Sequence, residues 1–414
     1  MPFIHNMIVN RVRLVLLLCL CSACVPSNRQ DIAGEAGFDV IELTIEQAQQ
    51  AMRTGRISCQ QLTGIYLQRI QAYDQPGRLN AITSINPNAM QRSRQLDRKF
   101  ADSGRMHKLH CIPVILKDNF DSADMPTEAG SIALQGSRPP DDAFMVQRLR
   151  QHDAIIIARS NMGEWAFSPY HTISSTHGET RNAYDLNRVP AGSSGGTATA
   201  IAANFGIIGM GTDTGNSIRG PASHLSLVGI RSTLGATSRD GIVPLLLNRD
   251  VGGPLMRTVK DTAIVYTLLA GYDPADPLTQ AAKGRVKPDY TRYLKADGLQ
   301  GARLGVLRDL VDTGDADFEV LASMDRAIDD LRQAGAVIVD PFDIADFEQL
   351  KSATGFCSRF RHDLKNYLKT LGASAPIRSL DEVVNSKRFL PQSAQAMQWA
   401  MSVDGDCLLY TSPS

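Results

Sequence analysis

Apolar residues recur along this chain in two rhythms that take turns. Leu62, Tyr66 and Ile70 repeat at helical spacing behind Ser58-Cys59-Gln60-Gln61, and a serine with glutamine three residues later fits a capping box. Thr44-Ile45-Glu46-Gln47 carries the same signature, so two amphipathic helices separated by Gly55 are predicted to open the folded part near Phe38. Asn80 to Ile85 alternates as a strand does. Pro87 to Phe100 reads as a helix with Asn86 as its cap, Pro87 at its first position and a solvated arginine-bearing face. Ile112 to Leu116 and Ala154 to Ala158 are fully apolar strands, with a helix at Ala143 to Gln151 between them. Strands that alternate with helices predict an α/β sheet.

The alternation continues. Ala198 to Phe205 reads as a small-residue helix, Ile207 to Met210 as a short strand and Leu227 to Ile230 as another, with Gly235, Gly241, Gly252, Gly253 and Pro254 marking turns around it. Thr258 to Ala270 is helical. Gly301 to Leu307, Asp317 to Gln333 and Ala336 to Val339 form a strand-helix-strand unit, and neither strand is followed by a glycine pattern that would cradle a phosphate. Leu350 to Leu371 and Leu380 to Trp399 look helical.

Composition changes this picture at the ends. Arg11 and Arg13, the apolar run Leu14 to Leu20 and then Cys21-Ser22-Ala23-Cys24 describe an export signal over residues 1–24, too short to span a membrane. Its ending resembles a bacterial lipobox, although Leu20 sits one place further from Cys24 than in the usual pattern. A lipid on Cys24 would anchor the protein to a membrane face, whereas ordinary cleavage would release it to the periplasm. Residues 25–37 read as a polar tether. Lys+Arg and Asp+Glu number 43 each, so charge points neither to nucleic acid nor to an acidic substrate. Cys24, Cys59, Cys111, Cys357 and Cys407 are scattered, without metal spacing, and predict neither a disulfide framework nor a zinc site; Met, Ala and Leu are left to carry the core.

The candidate chemistry lies between Gly192 and Ala222. Gly192-Ser193-Ser194-Gly195-Gly196 and Gly211-Thr212-Asp213-Thr214-Gly215-Asn216-Ser217-Ile218-Arg219-Gly220 are two serine-bearing glycine loops flanking one buried segment. Gly211, Gly215 and Gly220 are expected to free the second loop so that N–H groups from Thr214 to Ser217 converge as an oxyanion hole. A serine needs a base. Lys117, at the end of an apolar strand, would lose its charge by desolvation and supply one. A rival sits in the same residues, since Gly192 to Gly196 also satisfies G-x-S-x-G, the nucleophile elbow; that reading makes Ser194 the nucleophile and His362 its base. His107 and His110 read as surface residues without an acidic partner, and His224 as structural.

Pro113-Val114-Ile115-Leu116-Lys117-Asp118, the first serine loop and the second, in that order, resemble the amidase signature family from about Ile41 to about Ile344. The resemblance implies a single large α/β domain, a central mixed sheet covered by helices, with the strand-helix-strand unit on that sheet. It implies amide hydrolysis through an acyl-enzyme without metal or cofactor, with Lys117 as base, Ser193, held by a cis peptide bond, as relay and Ser217 as nucleophile. Thr212 and Ser194 would support the relay, and Asp213 with Arg219 would form a charge pair or brace. Asn216 stands where most members have glycine, a place asparagine tolerates if φ is positive. The loop Met125 to Ser131 would close over the site, and the region past Phe347 would shape the substrate pocket. Members usually run further, so the domain at 38–406 is expected to be incomplete and 407–414 a non-native tail. The expected partner is a small-molecule amide, with no nucleic acid. The alternatives are a lipid-anchored, non-catalytic binding protein with this fold, an esterase using Ser194, or the synthetase-associated amidotransferase subunit that shares the motifs.

Overall fold

Both predicted capping boxes form in the computed structural model, which describes residues 37–352 and 358–402. The expected signal, the tether up to residue 36, Cys24, Cys357 and the tail 407–414 lie outside the described residues. Thr44 and Gln47 cap α1 (Ile45–Arg53), and Ser58 and Gln61 cap α2 (Cys59–Tyr73), each side chain satisfying an N–H that the helix leaves free. Asp97 adds a second cap to α2, accepting from the N–H groups of Cys59 at 2.7 Å and Gln60 at 2.9 Å.

The strand β1 (Ile82–Ile85) precedes α3 (Ala89–Ser103), which starts later than the sequence suggests. Asn86 is drawn off to other work. Its Nδ2 donates to the Ile156 carbonyl and to Asp124, and its Oδ1 takes the Asn88 N–H, so Asn88 caps the helix without a side-chain bond. The charged face of α3 is only partly solvated, because Arg92 and Lys99 reach the buried Asp153 at 3.2 and 2.7 Å.

Next come β2 (Pro113–Lys117), α4 (Phe144–Gln151), β3 (Ile155–Ser160) and the two-residue strands β4 (Ile173–Ser174) and β5 (Gly178–Glu179). Then follow α5 (Gly195–Ala202), β6 (Ile208–Asp213), α6 (Arg219–His224), β7 (Val228–Gly229), β8 (Val251–Met256) and α7 (Val259–Leu269). The main sheet has the order β1-β3-β2-β6-β8-β7. Its centre, β3-β2-β6, is parallel, while β1 and β8 join antiparallel, so the sheet is mixed as expected. The buried core on it draws on isoleucine as well as leucine, methionine and alanine.

Two expectations fail on small residues. The helix α5 begins at Gly195, with both glycines in its first turn, because an added Cβ on Gly196 would lie 2.1 Å from the Asn161 carbonyl oxygen. Gly252, Gly253 and Pro254 form no turn; they are fully buried in β8, where a Cβ on Gly253 would meet the Ile230 carbonyl at 2.5 Å. Crowding rather than bending selects glycine there.

The unit β9 (Arg303–Gly305), α8 (Phe318–Gln333) and β10 (Val337–Val339) stands apart as its own two-stranded parallel sheet, not on the main one. Its polar backbone groups are met inside the unit, Gly301 bonding Gly335, Val337 bonding Ala302 and Val306 bonding Val339. Past it lie α9 (Phe347–Ser352), α10 (Phe360–Thr370), α11 (Leu380–Ser386) and α12 (Ala394–Met401). The expected helix from Leu380 to Trp399 is broken where Lys387 turns left-handed and Pro391 follows. Of these, α10, α11 and α12 form a second apolar cluster with Ala129, Met162 and Trp165.

Contrary to the reading of scattered cysteines, Cys59 and Cys111 are joined by a disulfide across 52 positions of sequence. Spacing could not show this, since the contact is made by packing the start of α2 under the residues that lead into β2. By the chain-entropy relation a loop of that length is held with about 4 kcal/mol. Reduction is therefore expected to lower the urea midpoint markedly with activity kept in the surviving folded fraction; an unchanged midpoint would show the bridge carries no stability.

Candidate active site

The β2–β6 register, Leu116 opposite Met210, carries Lys117 alongside Thr212. Lys117 Nζ lies 2.8 Å from Ser193 Oγ, 2.7 Å from Thr212 Oγ1 and 3.5 Å from the Thr212 carbonyl oxygen. The side chain is fully buried and forms no salt bridge with any described residue. Burial lowers its pKa to about 7, against the upward pull of Asp213 and Asp250. A neutral amine at this position has one lone pair to offer.

Ser193 follows a cis Gly192–Ser193 peptide bond. Gly192 is required there, because an added Cβ would sit 2.3 Å from the His171 carbonyl oxygen. Ser194 donates to the Thr212 carbonyl at 3.2 Å, so both members of the pair meet β6, one through Lys117 and one directly. Asn119 completes this corner. Its Nδ2 donates to Thr212 Oγ1 at 3.0 Å, a contribution the sequence reading missed although Asn119 stands two residues past Lys117.

After β6 the chain makes a short turn whose ends are closed by one carboxylate. Asp213 Oδ2 accepts from the N–H groups of Ile218 at 3.1 Å and Arg219 at 3.3 Å. The Arg219 side chain binds the same carboxylate and the Gly215 carbonyl. Arg231, which no sequence pattern singles out, binds Asp213 Oδ1 at 3.0 Å. Burial pushes the Asp213 carboxyl up, but Arg219, the Ile218 N–H and Arg231 outweigh it and hold it below the ordinary carboxylate range. Inside the turn, the N–H groups of Thr214, Gly215, Asn216 and Ser217 donate to no acceptor among the described residues. Unpaired N–H groups in so confined a turn suit a developing negative charge.

The reason for the glycines differs from the expected one. None of Gly211, Gly215 and Gly220 has positive φ, and neither has Asn216. Gly211 instead makes room for Leu255, whose Cδ1 would be 2.5 Å from an added Cβ. Thr214 Oγ1 donates to Asp250 at 2.5 Å; Asp250 also takes the N–H groups of Leu245 and Leu246, and burial raises its pKa to about 6. Ser217 is 4% exposed and its hydroxyl is engaged by no described residue.

Two connections tie this corner to the rest. Asp118 accepts from the N–H groups of Glu128 and Gly130, which packs the loop Met125 to Ser131 at the end of β2. Glu164 joins Ser175 to Leu390 and Ser393, so the C-terminal helices are fastened to the loop whose Gly163 N–H donates to the Ser193 carbonyl.

The rival elbow lacks its geometry. No described strand leads directly into Ser194, its hydroxyl is spent on Thr212, and His362 on α10 bonds Asp363 and Asn366 instead. His107 is exposed, as read, but the reading of His110 as a surface residue, and of both rings as lacking an acidic partner, needs correction. His110 is buried, and both rings face Asp153, at 3.7 Å for His107 and 3.5 Å for His110, because the left-handed turn at Asp153 folds it back under them. Among the described residues no group of three acidic, cysteine or histidine side chains could hold a metal. His224 bonds the Val189 carbonyl, a structural contact as expected.

Comparison with known proteins identifies the family. The family profile described as Amidase matches residues 61–402. A protein described as a probable amidase from Arabidopsis thaliana is 32% identical over 94% of this chain and 76% of its own length. A glutamyl-tRNA(Gln) amidotransferase subunit from Anaeromyxobacter sp. (strain K) is 37% identical over 73% of this chain, and the match spans 60% of that protein. The crystal structure of native peptide amidase from Stenotrophomonas maltophilia superposes with a TM-score of 0.81 at 37% identity, covering 89% of this chain and 78% of that one. The chain therefore belongs to the amidase signature family and is an amide-hydrolysing enzyme.

Proposed function

We propose that the chain hydrolyses carboxamides through a Ser217-Ser193-Lys117 relay and an acyl-enzyme. The observation that carries this reading is the burial of Lys117, withdrawn wholly from solvent with Ser193 Oγ at 2.8 Å. Neutral Lys117 takes the Ser193 proton, Ser193 takes that of Ser217, and Ser217 Oγ attacks the carbonyl carbon. The resulting ammonium has three N–H groups and three acceptors, Ser193 Oγ, Thr212 Oγ1 and the Thr212 carbonyl. The oxyanion is received by the N–H groups from Thr214 to Ser217, each worth on the order of 3 kcal/mol of barrier. Lys117 returns the proton through Ser193 to the departing amine as the carbon–nitrogen bond breaks. Water then attacks the acyl-enzyme, losing its proton along the same path, and Ser217 is released with the acid.

Retention of a buried amine beside two hydroxyls favours an enzyme over a non-catalytic binder. The first substrates to screen are peptide amides, after the S. maltophilia enzyme, beside aliphatic and aromatic amides. A fluorophosphonate followed by peptide mapping tests the assignment: label on Ser217 is expected, and label on Ser194 would restore the elbow.

The proposal extends to location. A Cys59–Cys111 bridge persists in oxidising compartments, which accords with export to the periplasm and excludes no anchor. With Cys24 lipidated, Cys24→Ala is expected to move the full-length protein from the membrane to the soluble fraction; unchanged partition would refute lipidation.

A further inference from the structure

The carbonyl oxygen of Pro169 accepts from both serine loops. The Gly192 N–H, directly before Ser193, lies 3.0 Å from it, and Nδ2 of Asn216, directly before Ser217, lies 3.3 Å from it. A carbonyl has two lone pairs, so both bonds stand together. We propose that Asn216 is a positioning residue for the hydrolysis, its side-chain amide registering the nucleophile loop on the relay loop through the Pro169 carbonyl. This rests on the relay assigned above.

Three observations support it. First, other ties on the second loop hold its base: Asp213 grips Ile218 and Arg219, Arg219 grips Gly215, and Thr214 grips Asp250. Among the described residues, only Asn216 reaches from positions 214–217 toward the relay loop. Second, the place for that amide is kept open, since a Cβ added to Gly220 would lie 2.1 Å from Asn216 Nδ2. Third, the acceptor is itself held. The Ser168 hydroxyl takes the N–H groups of Tyr170 and His171 in the turn that presents Pro169, and a Cβ on Gly192 would be 2.6 Å from the Ser168 carbonyl. Among the described residues the hydroxyl of Ser217 has no partner to fix it, so its approach to Ser193 depends on where the two loops are set. Misplacing reacting atoms by about 1 Å costs on the order of a hundredfold in rate.

The test uses Asn216→Leu, of similar size without a donor, and Gly220→Ala, which displaces the amide without touching position 216. Each is expected to lower kcat, and the rate of fluorophosphonate labelling at Ser217, by roughly ten- to a hundredfold, with KM within about twofold of the parent. The acid limb of the pH profile should stay near 7, because no contact of Lys117 changes. In an Asn216→Gly background, Gly220→Ala should cost nothing further. Unchanged kcat in Asn216→Leu, a loss confined to KM, or an equal cost of Gly220→Ala in both backgrounds would overturn the inference. If Asn216→Leu melts early, the Gly220→Ala pair decides alone. Label on a residue other than Ser217 in the parent protein would instead remove the relay itself, a distinguishable failure.

Discussion

Ser217→Ala is expected to abolish amide hydrolysis, with kcat falling by on the order of 10⁴- to 10⁶-fold, as when a serine hydrolase loses its nucleophile. The hydroxyl bonds to no described residue, so its removal breaks no structural contact and leaves neither donor nor acceptor stranded. Thermal stability should therefore match the parent within about 1 kcal/mol. Fluorophosphonate labelling should disappear with the activity. A folded Ser217→Ala protein that turned amides over at the parental rate would end the assignment. Ser193→Ala is expected to be severely impaired, since it removes the one hydroxyl that Lys117 and Ser217 would share.

Lys117→Met should be as inactive, for a different reason. It keeps the volume of the side chain but deletes the amine whose lone pair starts the relay. With the Lys117 pKa at about 7, kcat/KM of the parent should rise tenfold per pH unit below 7 and level off above it. The stability consequence has a definite sign. An exposed lysine in the unfolded chain keeps its proton to about pH 10.4, whereas the folded one gives it up near 7. Between these values the unfolded state binds the extra proton, so stability from this residue rises with pH across that window and is lowest below 7. Lys117→Met removes that slope and should be no less stable than the parent at pH 6, trading function for a buried apolar chain. A parental profile without an acid limb, or a methionine variant with the parental stability slope, would show that the titrating amine is elsewhere.

How much of this was legible varies with the range of the cause. The capping boxes at Thr44 and Ser58 were readable because a helix start is settled by four consecutive residues. The strand ending at Lys117 and the one through Ala158 were readable because a run of apolar residues has few other places to go. Asn86 misled because its side chain was claimed by Ile156 and Asp124, far away in sequence. Gly252 and Gly253 misled because glycine marks both a bend and a crowded strand, and only the presence of Met145 and Ile230 tells which.

The sequence alone determined the α/β class, the order of the motifs and the residue types of the candidate site, since these depend on local pattern and on which side chains have the needed chemistry. Only the tertiary structure decided that Cys59 meets Cys111, that Asp250 and Arg231 stand beneath the serine turn, and that Asn119 and Thr212 frame the Lys117 amine. The partners at Lys117 and in the serine turn are brought together by the pairing of β2, β6 and β8, and the cysteines by the packing of α2 against the approach to β2. Strand pairing joins residues a hundred positions apart, and no periodicity along the chain encodes which of them will touch.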